Sequence, residues 1–373
     1  MNVLIMADYR TPNSGNFVAS LLELAEKMQD QGNKVVFLFP DNRKGGYSWS
    51  KWLEENGFSV ILCHIGKTEQ ELTEELSAIV REYQIELIHS HFGCCHKVLI
   101  KNRRRLGNVQ VLIHDHMDFS PEGNLQKQQI KTMIYAAVYR LAGIGIVSVM
   151  EKKNKAYWLA GKKNWYVPNG LSLKRNIPQS MERSKRRQQL NVDEEEKLCL
   201  FLGWDMHRKG VDIAIKAVDY LRQRGRNICL GLVGFGNEPL QQVREWILHR
   251  TNVDPNSEWI RFFPSAEDMF SYHRAADVYL SASRKEAFSY GILEAMSQNT
   301  PVVMSDIEGT QWAAKYNKCI QYPVENAVAC ADALETALDL ENERSNKDEI
   351  MEYYSIDIWC QRIIDIYYKM LNK

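Results

Sequence analysis

The sequence lacks the features that mark several common classes of protein. Its eight cysteines form no C-x-x-C pair, and Cys63, Cys199 and Cys229 lie in apolar runs, where a thiol packs as a small hydrophobic group. Its 47 basic and 47 acidic residues cancel to zero net charge, so no global field would hold the chain on nucleic acid. The N-terminal apolar run meets Asp8 too soon for a signal peptide. These absences predict a cytoplasmic protein.

A membrane-spanning helix and a dinucleotide fingerprint are also missing. Residues 132–150 nearly reach the ~20 apolar residues that a spanning helix needs, but Arg140 interrupts them. Their second half is rich in β-branched residues and glycine, which indicates a helix followed by a buried strand. No G-x-G-x-x-G follows the first strand, which removes the main support for a dehydrogenase. Gly234 and Gly236 form only a partial match, interpreted as close backbone approach to a nucleotide.

What the sequence does contain is a repeated alternation of short apolar runs and longer amphipathic stretches. This pattern is typical of β-α-β units in a parallel sheet covered on both faces. It occurs once before the turn at residues 168–170 and again after it, and 373 residues suffice for two domains of ~100–200 residues. We therefore predict an α/β fold with two open sheets, residues 1–168 and 169–355. Ligand-binding residues should directly follow strands.

Two glutamates follow one strand of the second half. Glu286 precedes a helix predicted near residues 290–297, and Glu294 lies about one turn inside it. Between them, the free N–H groups of Ser289, Tyr290 and Gly291 would open the helix and could bind phosphate oxygens. The two carboxylates could accept hydrogen bonds from neutral hydroxyls on either side. An ordinary helix start with solvated acids remains the alternative.

A second strand of this half runs into Arg208, Lys209 and Gly210. Cations at the carboxyl end of a strand can neutralise a diphosphate, and the glycine allows close approach of the backbone. The alternative is a surface turn with solvated bases.

In the first half, Gly15 opens the first helix, and histidines gather at the ends of two strands: His89 and His91, then His114 and His116. Alternating residues of a strand are expected to point to opposite faces, so only one of each pair would face a given centre. No spacing of two ligand pairs is present. We predict no metal site, and interpret His114 as a residue that binds the transferred sugar or diphosphate, with a core histidine as the alternative.

A basic run in the first half alternates with apolar residues and could touch an anionic membrane where a lipid-linked acceptor lies. A solvated surface is the alternative, and no aromatic residues interleave to suggest RNA binding. The basic residues are Lys97, Lys101, Arg103, Arg104 and Arg105.

Several segments together resemble the retaining GT-B glycosyltransferases of glycosyltransferase family four. Residues 286–296 resemble that family's E-x7-E signature, and residues 300–306 the strand after it. Residues 166–170 are similar to the interdomain segment, and residues 86–91 to the end of an N-domain strand. The resemblance spans nearly the whole chain in the family's order. It implies two Rossmann-like domains facing each other across a cleft, with a final helix, residues 356–373, joining the first domain.

The resemblance also implies roles. Glu286 would contact the donor sugar, Glu294 the ribose, and Lys209 the diphosphate of a nucleotide sugar bound by the second domain. His114 would lie near the transferred sugar. The other residues implied in donor binding are Gly15, Arg208, Phe288, Ser289, Tyr290 and Gly291. The chemistry would be metal-independent transfer of a hexose-type sugar with retention, in assembly of a polysaccharide or glycolipid, with a glycan or lipid-linked glycan as acceptor.

One departure from the family concerns Trp204, which follows Gly203 where the family usually has arginine. Arg208 is expected to supply the positive charge instead. Three other functions remain open: a glycosidase using two carboxylates ~5–10 Å apart, a nucleotide-sugar epimerase of the same fold, and a catalytically silent glycosyltransferase-like subunit. Glu286, Glu294 and Lys209 argue against the silent subunit, and Trp204 slightly for it.

Overall fold

The computed structural model describes residues 1–41, 47–63, 68–93, 95–118, 124–173, 181–203, 205–235, 240–340 and 347–372. Trp204 and Gly236, named above, lie outside these ranges. The chain divides into two compact units, and each is described by itself. One unit comprises Met1–Ser172 and Tyr354–Lys373, and the other Leu173–Tyr353.

The first unit contains a parallel sheet of seven strands. The strands are β1 (Asn2–Ala7), β2 (Lys34–Pro40), β3 (Ser59–Cys63), β4 (Leu87–His91), β5 (Gln110–Asp115), β6 (Gly145–Ser148) and β7 (Asn164–Tyr166). Their order in the sheet is β3-β2-β1-β4-β5-β6-β7. Every residue of β4 and β6 is buried, as expected for a parallel sheet with both faces covered.

Helices cover this sheet. They are α1 (Gly15–Asp30), α2 (Ser48–Glu55), α3 (Glu69–Glu82), α4 (His96–Lys101), α5 (Leu125–Ala142) and α6 (Glu151–Ala156), followed by a 3-10 helix, Trp158–Lys163. Local sequence sets where α3 begins: Glu71 N donates to Thr68 Oγ1 at 3.2 Å, and Thr68 N donates to the Glu71 carboxylate at 2.6 Å. This reciprocal pair satisfies two N–H groups that the helix itself leaves free.

The apolar run at residues 132–150 is a helix followed by a strand, as predicted. Asn124 Oδ1 caps α5 by accepting from Gln126 N at 2.9 Å, and Gly143, with φ of +68°, ends it in the left-handed conformation. Strand β6 then enters the core. In the described part of the chain, none of the helices combines the length and the apolar character needed to cross a bilayer.

The second unit contains a parallel sheet of six strands. These are β8 (Lys197–Leu202), β9 (Ile228–Val233), β10 (Ile260–Phe263), β11 (Val278–Ser281), β12 (Val302–Ser305) and β13 (Cys319–Tyr322). Their order is β10-β9-β8-β11-β12-β13. The helices are α7 (Arg183–Gln189), α8 (Met206–Lys209), α9 (Val211–Gln223), α10 (Leu240–Thr251), α11 (Met269–Ala275), α12 (Tyr290–Ser297), α13 (Ala327–Leu338) and α14 (Lys347–Tyr354), with a 3-10 helix at Glu308–Ala313.

The last helix, α15 (Ile356–Leu371), belongs to the core of the first unit. Trp359, Ile363 and Tyr367 are buried there, and a Cβ on Gly170 would lie 2.5 Å from the Cβ of Trp359. The first unit extends to Ser172 rather than residue 168, because Ser172 N donates to Asn16 Oδ1 at 3.1 Å and ties this segment to α1.

Candidate functional site

In the second unit, residues that follow two neighbouring strands meet. Lys209 ends α8, just after β8, and Glu286 lies in the loop after β11. Lys209 Nζ donates to Glu286 Oε1, and Arg208 Nη1 lies 3.8 Å from the same oxygen. Ser283 Oγ also donates to it at 3.2 Å. The structure thus brings two predicted cations, Arg208 and Lys209, to the carboxylate of the predicted Glu286.

Two glycines allow the segments that carry Lys209 and Glu286 to pack closely. Gly210 has φ of +76°, and a Cβ there would lie 2.1 Å from the carbonyl oxygen of Ala282. A Cβ on Gly309 would lie 1.9 Å from the carbonyl oxygen of Glu286. Any larger residue at either position would separate the segments that follow β8, β11 and β12.

Another close approach gives Gly234 a role in packing. Its φ is +106°, and a Cβ there would lie 2.1 Å from the carbonyl oxygen of Gly203. The glycine is therefore needed by the packing of two strand ends, and no nucleotide is required to explain it.

The loop after β11 leads into α12, whose first turn contains the predicted phosphate-binding segment. Ser289 precedes the helix and is buried, while Tyr290 and Gly291 are half-buried. Phe288 stacks on Trp312, with ring centroids 4.5 Å apart and planes 9° apart. The N–H groups at the start of α12 follow directly on the loop of Glu286.

Glu294 is the least exposed of these residues, at 4%. Its carboxylate lies 3.5 Å from Nε2 of the buried His273. Burial, followed by the charges of Glu286 and Glu294, raises the pKa of the nearby Tyr279 hydroxyl above its ordinary value. Tyr279 therefore stays protonated near the two glutamates. The carboxylate of Glu294 faces the interior of the unit.

Sequence reasoning missed the residue that fixes the geometry of this loop. Arg284 donates to both oxygens of Asp212 at 2.9 Å and also pairs with Glu325. Its backbone N donates to the carbonyl oxygen of Arg208 at 2.8 Å. The available signal is its position three residues after the buried strand β11.

In the first unit, the four histidines form one cluster, in which three are buried and His116 is half-buried. His89, His91 and His114 are 0% exposed. Two hydrogen bonds join the rings, one between His89 Nε2 and His114 Nδ1 at 3.2 Å and one between His91 Nδ1 and His116 Nε2 at 2.9 Å. The expectation that only one histidine of each pair could face a given centre is wrong. Residues two apart on a strand share a face.

Burial sets the charge of this cluster. It lowers the pKa of His89 to about 3 and that of His116 to about 4, and it holds the pKa values of His91 and His114 well below the ordinary range. All four rings are therefore neutral at pH 7. Among the described residues, Nε2 of His91 and Nε2 of His114 are buried without a hydrogen-bond partner.

Neutral imidazoles are also metal ligands, and three of these could be considered for that role. One nitrogen from each of His89, His91 and His114 lies within 4.8 Å of the others. Two ligands of a single zinc ion lie at most about 4.2 Å apart, twice a Zn–N bond of about 2.1 Å. The present arrangement would have to change before it could bind a metal.

A cavity of about 240 Å³ adjoins the cluster within the first unit. His114, His116, Asp115 and Lys153 line it, together with aromatic residues. Asp115 pairs with Lys153 at 2.8 Å and accepts from Tyr157 Oη at 2.8 Å. Gly15 lies elsewhere in the unit, at the start of α1, where its φ is +56° and Tyr9 Oη would lie 2.9 Å from a Cβ.

Two residues of the basic run have partners within the protein. Lys101 pairs with Glu69 at 2.9 Å, and Arg103 donates to the carbonyl oxygen of Gly107 at 2.9 Å. Lys97, Arg104 and Arg105 are exposed.

Comparison with known proteins adds to this geometry. Residues 182–355 match the family model described as "Glycosyl transferases group 1". An uncharacterized glycosyltransferase of Methanocaldococcus jannaschii is 26% identical over 50% of this chain and 48% of its own. The D-inositol 3-phosphate glycosyltransferase of Pseudarthrobacter chlorophenolicus is 30% identical over 46% of this chain and 41% of its own. The chain thus spans less than half the length of these two curated relatives.

A solved structure shows the fold of the whole chain. The Anabaena protein HepE, solved in complex with UDP-glucose, superposes with a TM-score of 0.77 at 18% identity, covering 99% of this chain and 100% of that one. Together with the two parallel sheets, this likeness confirms a GT-B fold of two Rossmann-like domains.

Proposed function

We propose that the protein is a glycosyltransferase that moves a hexose-type sugar from a nucleotide-diphosphate sugar to a hydroxyl acceptor. The observation that supports this most is the meeting of Arg208, Lys209 and Glu286 just before the N-terminus of α12. Cations near free backbone N–H groups suit a diphosphate. The same segment lies within the match to the group 1 glycosyl transferases.

In this proposal the second unit binds the donor. Lys209 and Arg208 neutralise the diphosphate, and Glu286 accepts hydrogen bonds from the sugar hydroxyls. The N–H groups of Ser289, Tyr290 and Gly291 lie along the phosphates, with Phe288 beside them. Glu294 binds the ribose. Because it is only 4% exposed, the ribose would have to reach it from the start of α12.

We further propose that transfer retains the configuration of the sugar and needs no metal ion. The bond from the anomeric carbon to the phosphate oxygen breaks, and the acceptor oxygen bonds to the same face of that carbon. The departing diphosphate takes the hydroxyl proton, so no separate base is required. Lys209 and Arg208 supply the positive charge that a metal provides in other transferases. Preorganised donors of this kind are worth about 10²–10³ in rate.

His114 and Gly15 act from the first unit in this proposal. The neutral, buried His114 has an Nε2 atom without a partner among the described residues. Because His114 is 0% exposed, a hydroxyl of the transferred sugar would have to enter the cavity that His114 lines to hydrogen-bond that nitrogen. Gly15 opens α1 and presents backbone N–H groups to the ligand.

The acceptor we propose is a glycan or lipid-linked glycan, in the assembly of a polysaccharide or glycolipid at the cytoplasmic face of a membrane. Lys97 of the basic run and Tyr135 of α5 line the same cavity as His114. Exposed apolar residues of α5 adjoin Tyr135, among them Ile134 at 60% and Ile130 at 56%. A cavity beside cations and an exposed apolar helix suits an acceptor held at a lipid surface.

The test begins with a panel of nucleotide-diphosphate sugars, with and without EDTA. We would measure thermal stabilisation, donor hydrolysis and, by NMR, the anomeric configuration of the product. A donor at ~100 times its Kd should stabilise the protein by ~2.7 kcal/mol. Lys209→Met and Glu286→Gln should lower the rate by about 10²–10³.

Matched controls are Lys185→Met and Glu258→Gln, which remove exposed charges of the same unit. Both controls should keep the activity of the unchanged protein. If no donor stabilises the folded protein, the proposal fails and a silent subunit replaces it. An inverted product would overturn retention alone, and loss of activity in EDTA would overturn metal independence alone.

A further inference from the structure

A second pocket of the second unit lies at the opposite edge of the sheet from Glu286. Lys197 begins β8, Asp277 directly precedes β11, Pro301 precedes β12, and Lys318 precedes β13. These four strands are parallel neighbours, so the residues before them share the amino-terminal edge. They line a cavity of about 230 Å³. Ligands of open α/β sheets usually lie at the carboxyl ends of strands, so this pocket is not explained by the fold.

Its charges are not balanced. Arg183, Lys197, Arg274 and Lys318 line the pocket, whereas Asp277 is the one carboxylate among the lining residues. That carboxylate is already engaged, since its oxygens lie 2.8 Å from Arg183 and 3.1 Å from Arg187 and also accept from Leu198 N at 2.7 Å.

Two of the cations have no partner in the described part of the chain. Lys318 is only 7% exposed, and its side chain has neither a hydrogen bond nor an ion pair there, although its backbone carbonyl accepts from Val302 N at 2.7 Å. Nε and Nη2 of Arg274 are buried and unpartnered as well. Burying a charge without a partner is costly, so buried cations are normally paired with an anion. The buried Lys318 and the half-buried Arg274 therefore make this pocket suited to an anion.

We propose that this pocket binds a small phosphorylated anion, such as phosphate, diphosphate or the phosphoryl group of a soluble metabolite. Guanidinium groups match the geometry of phosphate oxygens, and a buried lysine supplies a point charge. The exposed side chain of Asn299 also lies at the pocket. This pocket is separate from the proposed donor site, and anion binding here does not require that the protein transfer a sugar.

The test measures pyrophosphate binding to the full chain by calorimetry, at constant ionic strength, in the Lys209→Met background to weaken binding at the donor site. Saturable binding is expected, and Lys318→Met should weaken it at least tenfold. Arg274→Met should weaken binding similarly. Lys185→Met, a change at an exposed lysine of α7 outside the pocket, should leave binding unchanged.

The outcomes separate this site from the donor site. In a chain with Lys209 intact, Lys318→Met should leave UDP-dependent stabilisation unchanged. Pyrophosphate binding that is equal in the Lys318→Met, Arg274→Met and Lys185→Met proteins would overturn the proposal. Vesicles of phosphatidic acid in phosphatidylcholine test a lipid headgroup as the source of the phosphate. Vesicle binding that is lost in Lys318→Met, without any binding of pyrophosphate, would overturn the soluble ligand.

Discussion

Two glycines of the second unit share a left-handed backbone but differ in their surroundings. Gly210 has φ of +76° and would place a Cβ 2.1 Å from a carbonyl oxygen, whereas Gly225 has φ of +86° with nothing within 4 Å of its Cβ position. We expect Gly225→Ala to cost about 1–2 kcal/mol of unfolding free energy, from backbone strain alone. Gly210→Ala should cost roughly 1–3 kcal/mol more, since it forces packed segments apart.

Urea unfolding measures both changes. Gly210→Ala should also lower donor binding, since the shift separates Lys209 from Glu286, while Gly225→Ala should not. Equal losses of stability in the two variants would show that the close approach at Gly210 is not required.

The buried histidines make stability depend on pH. Unfolded histidine has a pKa of about 6.5, while burial lowers that of His116 to about 4. Between these values the unfolded chain binds more protons, so stability falls as the pH drops, by up to about 1.4 kcal/mol per pH unit for each such histidine. Above the upper value no loss is expected. His116→Gln should reduce this slope in chemical unfolding between about pH 6.5 and pH 4.

The control for this prediction is His249→Gln, which removes a histidine whose side chain is exposed. It should leave the slope unchanged. The prediction fails if the two variants have the same pH dependence.

Which residue types matter could be predicted from the sequence, but their partners could not. Lys209 and Glu286 can be identified because both follow strands, but they are 77 positions apart and no local pattern indicates that they pair. Arg284 was overlooked because its role lies in contacts with Asp212 and Glu325. The histidine cluster was missed through an error about strand geometry, since residues two apart share a face.

At the level of elements, the sequence predicts the central strands better than those at the edges. The alternation of apolar runs is weakest at β3, β7 and β13, which all lie at the edge of a sheet. An edge strand is buried less completely, as the half-buried residues of β3 and β7 show. Its apolar run is therefore short or broken, and the pattern that identifies a buried strand is weak.

The surface of α5 leads to a prediction about membranes. Ile130, Ile134 and Leu141 are 56%, 60% and 89% exposed and recur at helical spacing, with Lys127 and Lys131 beside them. Apolar residues flanked by cations favour an anionic bilayer. We expect Ile134→Glu to lower cosedimentation with anionic vesicles at least tenfold, because it places a negative charge in this surface.

Leu248→Glu is the matched control, since Leu248 is 50% exposed on α10 of the second unit. It should sediment like the unchanged protein. If both variants bind vesicles equally well, α5 is not a membrane contact.

At the level of the whole molecule, the alternation of elements sufficed to predict two parallel α/β units, because each buried strand produces its own apolar run. The point where one unit ends was harder to predict. It depends on side-chain contacts such as the hydrogen bond between Ser172 Oγ and Glu23. No local pattern in the sequence marks such a contact.

The two units should differ in stability when each is made as a continuous fragment of the chain. Residues 173–353 contain a complete six-stranded sheet, whereas residues 1–172 lack α15, which supplies Trp359, Ile363 and Tyr367 to their core. Losing a large buried side chain costs about 3–5 kcal/mol, and losing several exceeds the 5–15 kcal/mol that stabilises a typical domain. We expect fragment 173–353 to unfold cooperatively and to bind UDP. Fragment 1–172 should lack a cooperative transition and bind a hydrophobic dye. A cooperative transition in fragment 1–172 would show that the sheet is stable without α15.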